Sequence, residues 1–248
     1  MNHYETFYQL HHQQKPLIIA NAWNVKSAQL IEQNGYNAIG TSSGAISNSL
    51  GYEDGEKIPF SELLYIIKRI KVSTNIPLSV DMERGYANDP SELAENIRKL
   101  ADIGVAGINI EDAQGEEIFL KKLDTVKNHL EKNNLKIFIN ARTDGFLQKI
   151  AAPVETTIKR AKMYRDAGAD GLFVTGISDA SIIKEISAAI SLPLNIVGTP
   201  NLSSIKSLSE CGVRRISMAV FLYRATYNNL DKLLKSVTAE QSFEPLFV

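Results

Sequence analysis

Eight short apolar segments alternate with longer amphipathic segments along the whole chain of 248 residues. Strands that alternate with helices form a parallel sheet, because each helix returns the chain to the end of the sheet where the next strand begins. The predicted strands are 16–22, 37–42, 77–83, 106–112, 136–142, 170–176, 193–198 and 214–218. The clearest predicted helices are 61–72, 90–103, 154–167 and 179–190.

Local signals support these boundaries. Asp89 followed by Pro90 is typical of a helix start, and the glycines in "NGYNA" and "DAGAD" are typical of helix ends. Eight βα units without a linker or low-complexity segment predict a (β/α)8 TIM barrel, with residues 1–248 forming a single domain that carries a C-terminal helical extension. The alternative is an open doubly wound sheet, which is disfavoured because no glycine-rich dinucleotide fingerprint follows the first strand.

Charge and composition argue against several classes of partner. The formal net charge of −1 gives no reason to expect nucleic acid or an anionic membrane. No apolar run approaches the ~20 residues that span a bilayer, and the N-terminal segment is too polar for a signal peptide. The single cysteine, Cys211, rules out an internal disulfide and a cysteine-cluster metal site. These observations predict a soluble cytoplasmic protein.

Polar residues gather where the predicted strands end, which is where barrels of this kind place their active sites. Residues two apart on a strand share a face, so we expect Asp81 and Glu83 to point the same way, and likewise Asn109 and Glu111. The strand-end residues are Thr41, Ser42, Ser43 and Gly44 after strand two, Asp81 and Glu83 after strand three, Asn109 and Glu111 in strand four, Asn140 and Arg142 in strand five, and Asn195 in strand seven.

Three acids, Asp81, Glu83 and Glu111, outnumber the single inward-facing arginine, Arg142. A salt-bridged rim with Arg84 and Arg142 as partners is the alternative, but the excess of negative charge favours a bound cation. Mg²⁺ prefers oxygen ligands and needs only one or two direct carboxylates. Zinc is disfavoured because the histidines lie in the N-terminal segment or on a helix. The predicted cofactor is Mg²⁺, or Mn²⁺ in its place.

Arg142 and the loop "TSSGAISNSLGYEDGE" indicate an anionic substrate. A guanidinium can clamp a carboxylate or phosphonate with two hydrogen bonds, although an ion pair within the protein is the alternative. The loop is long and rich in hydroxyl groups, and Gly44 allows backbone N–H groups to approach an anion. No lysine ends a strand on the inner face, which argues against a Schiff-base aldolase. The remaining scheme is a divalent cation that holds a 2-oxo acid while an enolate forms.

Four ordered motifs resemble those of the isocitrate lyase/phosphoenolpyruvate mutase superfamily. They are "TSSGAISNSLGYED", "DMERGYA", "GINIED" and "NARTDGF", and they span nearly the whole chain at barrel spacing. The resemblance implies a Mg²⁺ site that draws on Asp81, Glu83 and Glu111, with water mediating some contacts. It also implies that Asp54 lies beside the reacting centre.

The same resemblance implies how a substrate would be held. Ser42 and Ser43, with Gly44 beside them, would bind the keto-acid carboxylate through hydroxyl and backbone N–H groups. Arg142 would steady the same molecule, and Asn195 is the predicted contact from strand seven. The implied reaction is that of a lyase, hydrolase or mutase that breaks or moves a C–C or P–C bond next to a pyruvate enolate. Oxaloacetate-type and phosphonopyruvate-type substrates are the leading candidates.

The sequence departs from the superfamily pattern after strand four. Isocitrate and methylisocitrate lyases carry a K-[KR]-C-G-H loop there, and phosphoenolpyruvate mutases carry K-x-N, whereas this chain has "EDAQGEEIFLKK". Without a proton donor in 113–122, catalysis must rely on Asp54 or on water at the metal. A second hypothesis is therefore a non-catalytic protein that binds the metal and a keto acid. A third, weaker one is a phosphate-binding aldolase-type barrel, which lacks an obvious glycine-rich phosphate loop here.

The C-terminal segment 219–248 carries more apolar side chains than one barrel flank needs, and it ends in "FEPLFV". Apolar surface left in water is unfavourable by roughly 25 cal/mol per Å². The segment could fold back on its own barrel, but superfamily members commonly exchange C-terminal helices and assemble as dimers of dimers. We expect a homotetramer with 219–248 at a subunit interface.

Overall fold

The computed structural model describes residues 2–202 and 204–247, and its eight parallel strands close into a barrel in chain order. Strand β8 pairs with β1 and completes the ring. The predicted (β/α)8 barrel is therefore confirmed. The strands are β1 (Leu17–Ala22), β2 (Ile39–Thr41), β3 (Leu78–Asp81), β4 (Gly107–Glu111), β5 (Phe138–Thr143), β6 (Gly171–Val174), β7 (Leu194–Val197) and β8 (Arg215–Ser217).

Helices connect the strands and surround the barrel. They are α1 (His3–His12), α2 (Val25–Gln33), α3 (Ser43–Ser49), α4 (Phe60–Lys71), α5 (Pro90–Asp102), α6 (Glu116–Lys132), α7 (Pro153–Asp166), α8 (Ala180–Ala189), α9 (Ile205–Glu210) and α10 (Phe221–Glu240), with 3₁₀ turns at Pro200–Leu202 and Glu244–Phe247. Within residues 2–202 and 204–247, no helix has the length and apolar character needed to cross a membrane.

The local signals read from the sequence act as predicted. The Asp89 side chain accepts a hydrogen bond from the Glu92 backbone N–H at 3.2 Å, and Pro90 begins α5. Gly35 and Gly168, which follow α2 and α7, have φ angles of 78° and 104°. A side chain would be strained in this left-handed region, so glycine allows each helix to end where its next strand must begin.

The inside of the barrel is polar in its middle layer. Arg215 of β8 reaches Ser79 of β3 and Asn109 of β4. Strand β8 neighbours neither β3 nor β4, so all three side chains lie inside the ring. Alternate residues such as Val80 and Ile108 face outward and pack with the helices in the main hydrophobic core. The interior polar residues bear on the site described below.

Helix α1 closes the N-terminal end of the barrel. Phe7 is fully buried and packs against Leu17, Ala38 and Phe138, which lie at or just before the starts of β1, β2 and β5. His11 stacks on Phe138 and donates from Nδ1 to the Phe7 carbonyl oxygen at 2.7 Å. This closure leaves the opposite, C-terminal end of the barrel as the end open to ligands.

Candidate active site

A cavity of about 480 Å³ opens at the C-terminal ends of the strands. Its wall is formed by the loop after β2, the ends of several strands and the first turn of α10. The structure brings together most of the residues predicted from the sequence. Those that line the cavity are Thr41, Ser42, Ser43, Gly44, Asp54, Asp81, Asn109 and Arg142.

The loop after β2 is fixed by short-range contacts. The Ser42 hydroxyl caps α3 by accepting from the Ala45 backbone N–H at 3.3 Å. The Ser43 hydroxyl donates to Asp81 Oδ2 at 2.9 Å. A Cβ atom on Gly44 would lie 2.9 Å from Asp54 Oδ2, so only glycine permits the Asp54 carboxylate to approach this closely.

Asp81 is the last residue of β3, and it is held from two sides. Its backbone N–H donates to Thr41 Oγ1 at 3.0 Å, while its carboxylate accepts from Ser43. Burial raises the pKa of Asp81, whereas the positive charge of Arg142 and the hydrogen bond from Ser43 act in the opposite direction. The carboxylate is therefore half-buried at the cavity with only part of the compensation that its charge needs.

Glu83 lies beyond the end of β3, in a tight turn. Glu83, Gly85 and Tyr86 have φ angles of 46°, 111° and 56°, so the alternation of a strand no longer sets the direction of the Glu83 side chain. The Tyr86 hydroxyl donates to Glu83 Oε1 at 2.9 Å. Burial, together with the charge of Asp81, raises the pKa of Glu83 to about 8. Glu83 is thus electrostatically coupled to Asp81, but it does not line the cavity.

Arg142 is anchored by two carboxylates. Its Nε and Nη2 atoms both donate to Asp144 at 2.7 Å, and its Nη1 atom lies 3.1 Å from Glu111 Oε2. Thr175 donates at 2.5 Å to Asp144 Oδ1, the oxygen that also accepts from Arg142 Nε, and so helps to hold this carboxylate in place. Of the five N–H donors of a guanidinium, two form hydrogen bonds to Asp144, while the Nη1 group of Arg142 forms an ion pair with Glu111 and keeps N–H donors for a ligand.

Glu111 faces Arg142 and does not line the cavity. Burial raises the pKa of Glu111 to about 7, although the charge of Arg142 acts against the rise. The ion pair considered from the sequence is therefore present, yet it leaves the Arg142 fork partly available. A structural ion pair and a ligand contact can coexist on this side chain.

The acids Asp81, Glu83 and Glu111 suit a hydrated metal ion better than one that protein side chains enclose by themselves. Among the described residues, no three His, Cys, Asp or Glu side chains are placed to hold a metal ion by themselves. Mg²⁺ keeps several waters and takes one or two carboxylates, so a closed protein cage is not required. Burial raises the pKa values of Asp81, Glu83 and Glu111. A nearby cation would lower these pKa values again, because it would stabilise the charged carboxylates. The donor set fits hydrated Mg²⁺.

Asn195 is placed differently from the other predicted site residues. It lies inside the barrel below the cavity, where its Cα atom pairs with that of Arg215, and only 1% of the residue is exposed. Neither side-chain atom of Asn195 has a hydrogen-bond partner among residues 2–202 and 204–247. Val197, two residues later on β7, lines the cavity instead.

Several cavity residues were not found from the sequence. Tyr223 and Arg224 come from the first turn of α10, and Tyr223 donates to Asn48 Oδ1 at 2.6 Å, which joins α10 to the loop after β2. Thr175 follows β6, where the rule that sites gather at strand ends could have found it. No comparable rule points to Arg224, because it lies on a helix.

The fold and the cavity define a class: a (β/α)8-barrel protein with acids, serines and an arginine around one cavity at its C-terminal end. A family profile described as Phosphoenolpyruvate phosphomutase matches residues 7–238. The chain therefore belongs to this family, within the phosphoenolpyruvate mutase/isocitrate lyase superfamily, as its four motifs predicted.

Individual relatives extend along most of the chain. An uncharacterized protein of Mycobacterium tuberculosis is 35% identical over 221 residues, which are 89% of this chain and 84% of that protein. An oxaloacetate decarboxylase of Pseudomonas fluorescens is 28% identical, covering 85% of this chain and 78% of its own. The crystal structure of a phosphonomutase-like protein of Burkholderia cenocepacia is 30% identical, with a TM-score of 0.89 over 94% of this chain and 99% of that one. These similarities support an enzyme of the lyase or mutase kind.

Proposed function

We propose that the protein is a Mg²⁺-dependent lyase, hydrolase or mutase that acts on a C–C or P–C bond of a 2-oxo acid through a pyruvate-enolate intermediate. Oxaloacetate-type and phosphonopyruvate-type compounds are the leading substrates. One observation carries the proposal: Asp81, Arg142 and the serine loop share a single small cavity. Carboxylate, guanidinium and hydroxyl groups together suit a metal ion and a planar anion side by side.

Each residue has a distinct part in this proposal. Asp81 would bind the ion directly, and Glu83 and Glu111 would complete its site, with water mediating some contacts. When bound, Mg²⁺ would stabilise the negative charge that develops on the enolate oxygen. Ser42 and Ser43 hold the substrate carboxylate, and the N–H donors of Arg142 that Asp144 does not use orient the same molecule. Arg224, which forms no ion pair within the described residues, adds a second positive charge to the cavity wall.

Proton transfer is assigned to Asp54. Breaking the C–C or P–C bond leaves an electron pair on the enolate, and a proton must reach carbon for pyruvate to be released. Only residues 112–115 separate β4 from α6, and this connection contains no cysteine, histidine or lysine. Asp54 presents a carboxylate at the cavity wall, beside Gly44. Its place at the cavity wall supports assigning the transfer to this carboxylate.

A panel of 2-oxo acids and phosphonates, incubated with protein and Mg²⁺, tests the proposal through pyruvate release. We expect turnover of one compound class, loss of turnover in Asp81→Ala, and a lower kcat with little change in KM in Asp54→Asn. The second candidate is a non-catalytic keto-acid-binding protein, favoured by the short connection after β4. Mg²⁺-dependent binding of oxalate without turnover of any compound would show that the protein binds keto acids and is not an enzyme of the proposed kind.

We also propose that the protein is a homotetramer, a dimer of dimers, with segment 219–248 at a subunit interface; Val248 lies outside the described residues. Helix α10 has no buried residue. Apolar grooves of about 560 Å³ and 550 Å³ lie on the barrel flank, and Met218 and Leu222 line both. The apolar side chains that α10 and the following turn leave exposed are Phe221, Tyr227, Leu230, Leu234, Phe243, Leu246 and Phe247.

Light scattering tests the assembly. Glutamate at both Leu230 and Leu234, which lie one helical turn apart on α10, should dissociate the oligomer because buried charges oppose association. Lys232→Glu is the matched control on the same helix and should leave the mass unchanged. A truncation after Met218 should be monomeric. A monodisperse full-length monomer at micromolar concentration would refute the assembly.

A further inference from the structure

Arg215 is a positive charge buried inside the barrel. Only 1% of the residue is exposed, and it forms no salt bridge with any residue in 2–202 or 204–247. The interiors of such barrels are usually filled by branched apolar side chains, so a guanidinium here needs a physical account. Burial lowers the pKa of Arg215 to about 9, which still leaves the side chain charged at neutral pH.

Arg215 makes polar contacts with β3 and β4 and an aromatic contact with α1. Its Nη2 atom donates to Asn109 Oδ1 at 3.2 Å and lies 3.5 Å from Ser79 Oγ. On the closed side of the barrel, the Phe7 ring lies 5.7 Å from the guanidinium carbon. The Nε and Nη1 atoms have no partner among the described residues. The best-made hydrogen bond of this buried charge is therefore the one to Asn109.

Arg215 determines which way the Asn109 amide faces. A guanidinium has only donors, so the Asn109 atom that meets it must be the carbonyl oxygen. Asn140 Nδ2 donates to the same oxygen at 2.9 Å. Both contacts hold Oδ1 of Asn109 toward the barrel interior, while Asn109 itself lines the cavity. Its Nδ2 group makes no hydrogen bond with the described residues and is left for the cavity.

We infer that Asn109 donates a hydrogen bond from Nδ2 to an anionic oxygen of the bound 2-oxo acid, and that Arg215 is the positioning residue that holds the amide in this orientation. The inference rests on the proposed function, because it takes the ligand from it. If the Asn109 amide were reversed, its Nδ2 donors would face the N–H donors of Arg215 in a buried space, which is unfavourable. Asn109 therefore presents an N–H donor to the cavity. This donor favours ligands with a carboxylate or enolate oxygen at that point over ligands that place a hydrogen-bond donor there.

The test measures the affinity of Mg²⁺-loaded protein for oxalate by calorimetry. Asn109→Ala should weaken oxalate binding by about tenfold, the typical effect of losing a hydrogen bond to a charged ligand. Arg215→Met, which keeps the length of the side chain but removes its donors, should weaken it to a similar degree. In the double variant, the loss should equal that of Asn109→Ala alone, because Arg215 acts through Asn109.

Two controls separate positioning from a general structural effect. Ser79→Ala removes the other contact of Arg215 and should leave oxalate affinity unchanged. The affinity of Asn109→Ala for Mg²⁺ alone should also stay within twofold of the wild type, because this substitution removes no charge. If Arg215→Met does not fold, Asn140→Ala replaces it, since it removes the second donor that fixes Asn109; its effect should likewise vanish in the Asn109→Ala background.

The outcomes that overturn the inference differ from those that overturn the proposed function. Oxalate binding that is Mg²⁺-dependent in the wild type and equally tight in Asn109→Ala overturns the donor role. Additive losses in the double variant overturn the positioning role of Arg215. A wild type that does not bind oxalate in the presence of Mg²⁺ overturns the proposed function itself, and with it the ligand on which the inference depends.

Discussion

The two ends of the barrel are built from the same strands but are held in different ways. At the N-terminal end, α1 and the strand starts form an apolar cluster around Phe7, Leu17 and Phe138. At the C-terminal end, buried acids have raised pKa values, and the chain turns through left-handed conformations at Glu83 and Tyr86. Apolar packing holds the N-terminal end, whereas the unfavourable features that a ligand can relieve lie at the C-terminal end.

Strand β5 shows this contrast within six residues. Its first residue, Phe138, is fully buried against Phe7, and its fifth, Arg142, lines the cavity and contacts two carboxylates. Substitutions at the N-terminal end should therefore change the free energy of unfolding and spare ligand binding. Substitutions at the C-terminal end should do the reverse, and the following four experiments test that division.

Leu17→Ala should have the largest effect, lowering the free energy of unfolding by about 3 kcal/mol, because it leaves a cavity in the apolar cluster that α1 covers. Urea denaturation measures the change. Leu147→Ala, at a mostly exposed position, is the control and should shift stability by less than about 0.5 kcal/mol. A loss of oxalate affinity in folded Leu17→Ala protein would contradict the separation of the two ends.

Asp81→Ala should weaken Mg²⁺ binding by at least about a hundredfold, or about 2.7 kcal/mol, since this carboxylate is the proposed direct ligand. Without metal, the variant should be no less stable than the wild type, because a half-buried carboxylate with a raised pKa has been removed. Calorimetric titration with Mg²⁺ measures the affinity, and Asp124→Ala, on the exposed face of α6, is the control. Equal affinities in wild type and Asp81→Ala would remove the metal assignment.

Acid should destabilise the N-terminal end through His11. Burial lowers the pKa of His11 from 6.5 to about 3, so the unfolded chain takes up a proton at a higher pH than the folded one. This contribution to stability is fully present above pH 6.5 and is lost as the pH falls toward 3; by pH 5 the loss is about 2 kcal/mol.

Urea denaturation of wild type and His11→Phe at pH 7 and pH 5 isolates this term, because the other titrating groups are common to both proteins. Phenylalanine keeps an aromatic ring to stack on Phe138. The wild type should lose about 2 kcal/mol more than the variant between the two pH values. Equal losses would show that His11 is protonated equally in the folded and unfolded chains.

Arg142→Lys should have the smallest of the four effects, weakening oxalate binding by at least ~1 kcal/mol, because lysine cannot form the planar fork that grips a carboxylate. Arg165→Lys, on the exposed end of α7, is the control. An oxalate dissociation constant that does not change would assign Arg142 to the ion pairs with Asp144 and Glu111 alone.

Much of the fold follows from local signals. All eight predicted strands are present, and the helix start at Asp89 and the glycine ends at Gly35 and Gly168 are as expected. The third strand is shorter than the predicted 77–83, because the chain turns at Glu83 and is held across the turn by Glu56, which accepts from the Tyr86 backbone N–H at 2.8 Å. That contact joins loops thirty residues apart, and no local pattern contains it.

The strand-end acids, the serine loop and Arg142 could be found from the sequence, because barrels place their sites where strands end. Within a strand, alternation also fixes which face each side chain takes, as for Arg142. The roles assigned to these residues, the metal, the assembly and the cytoplasmic location stay predictions. The periodicity of a strand carries no information about which residues of other elements pack against that face. Only the tertiary structure brought Arg224 of α10 over the cavity, and only it set Arg215 beneath Asn109, 106 residues away in the chain.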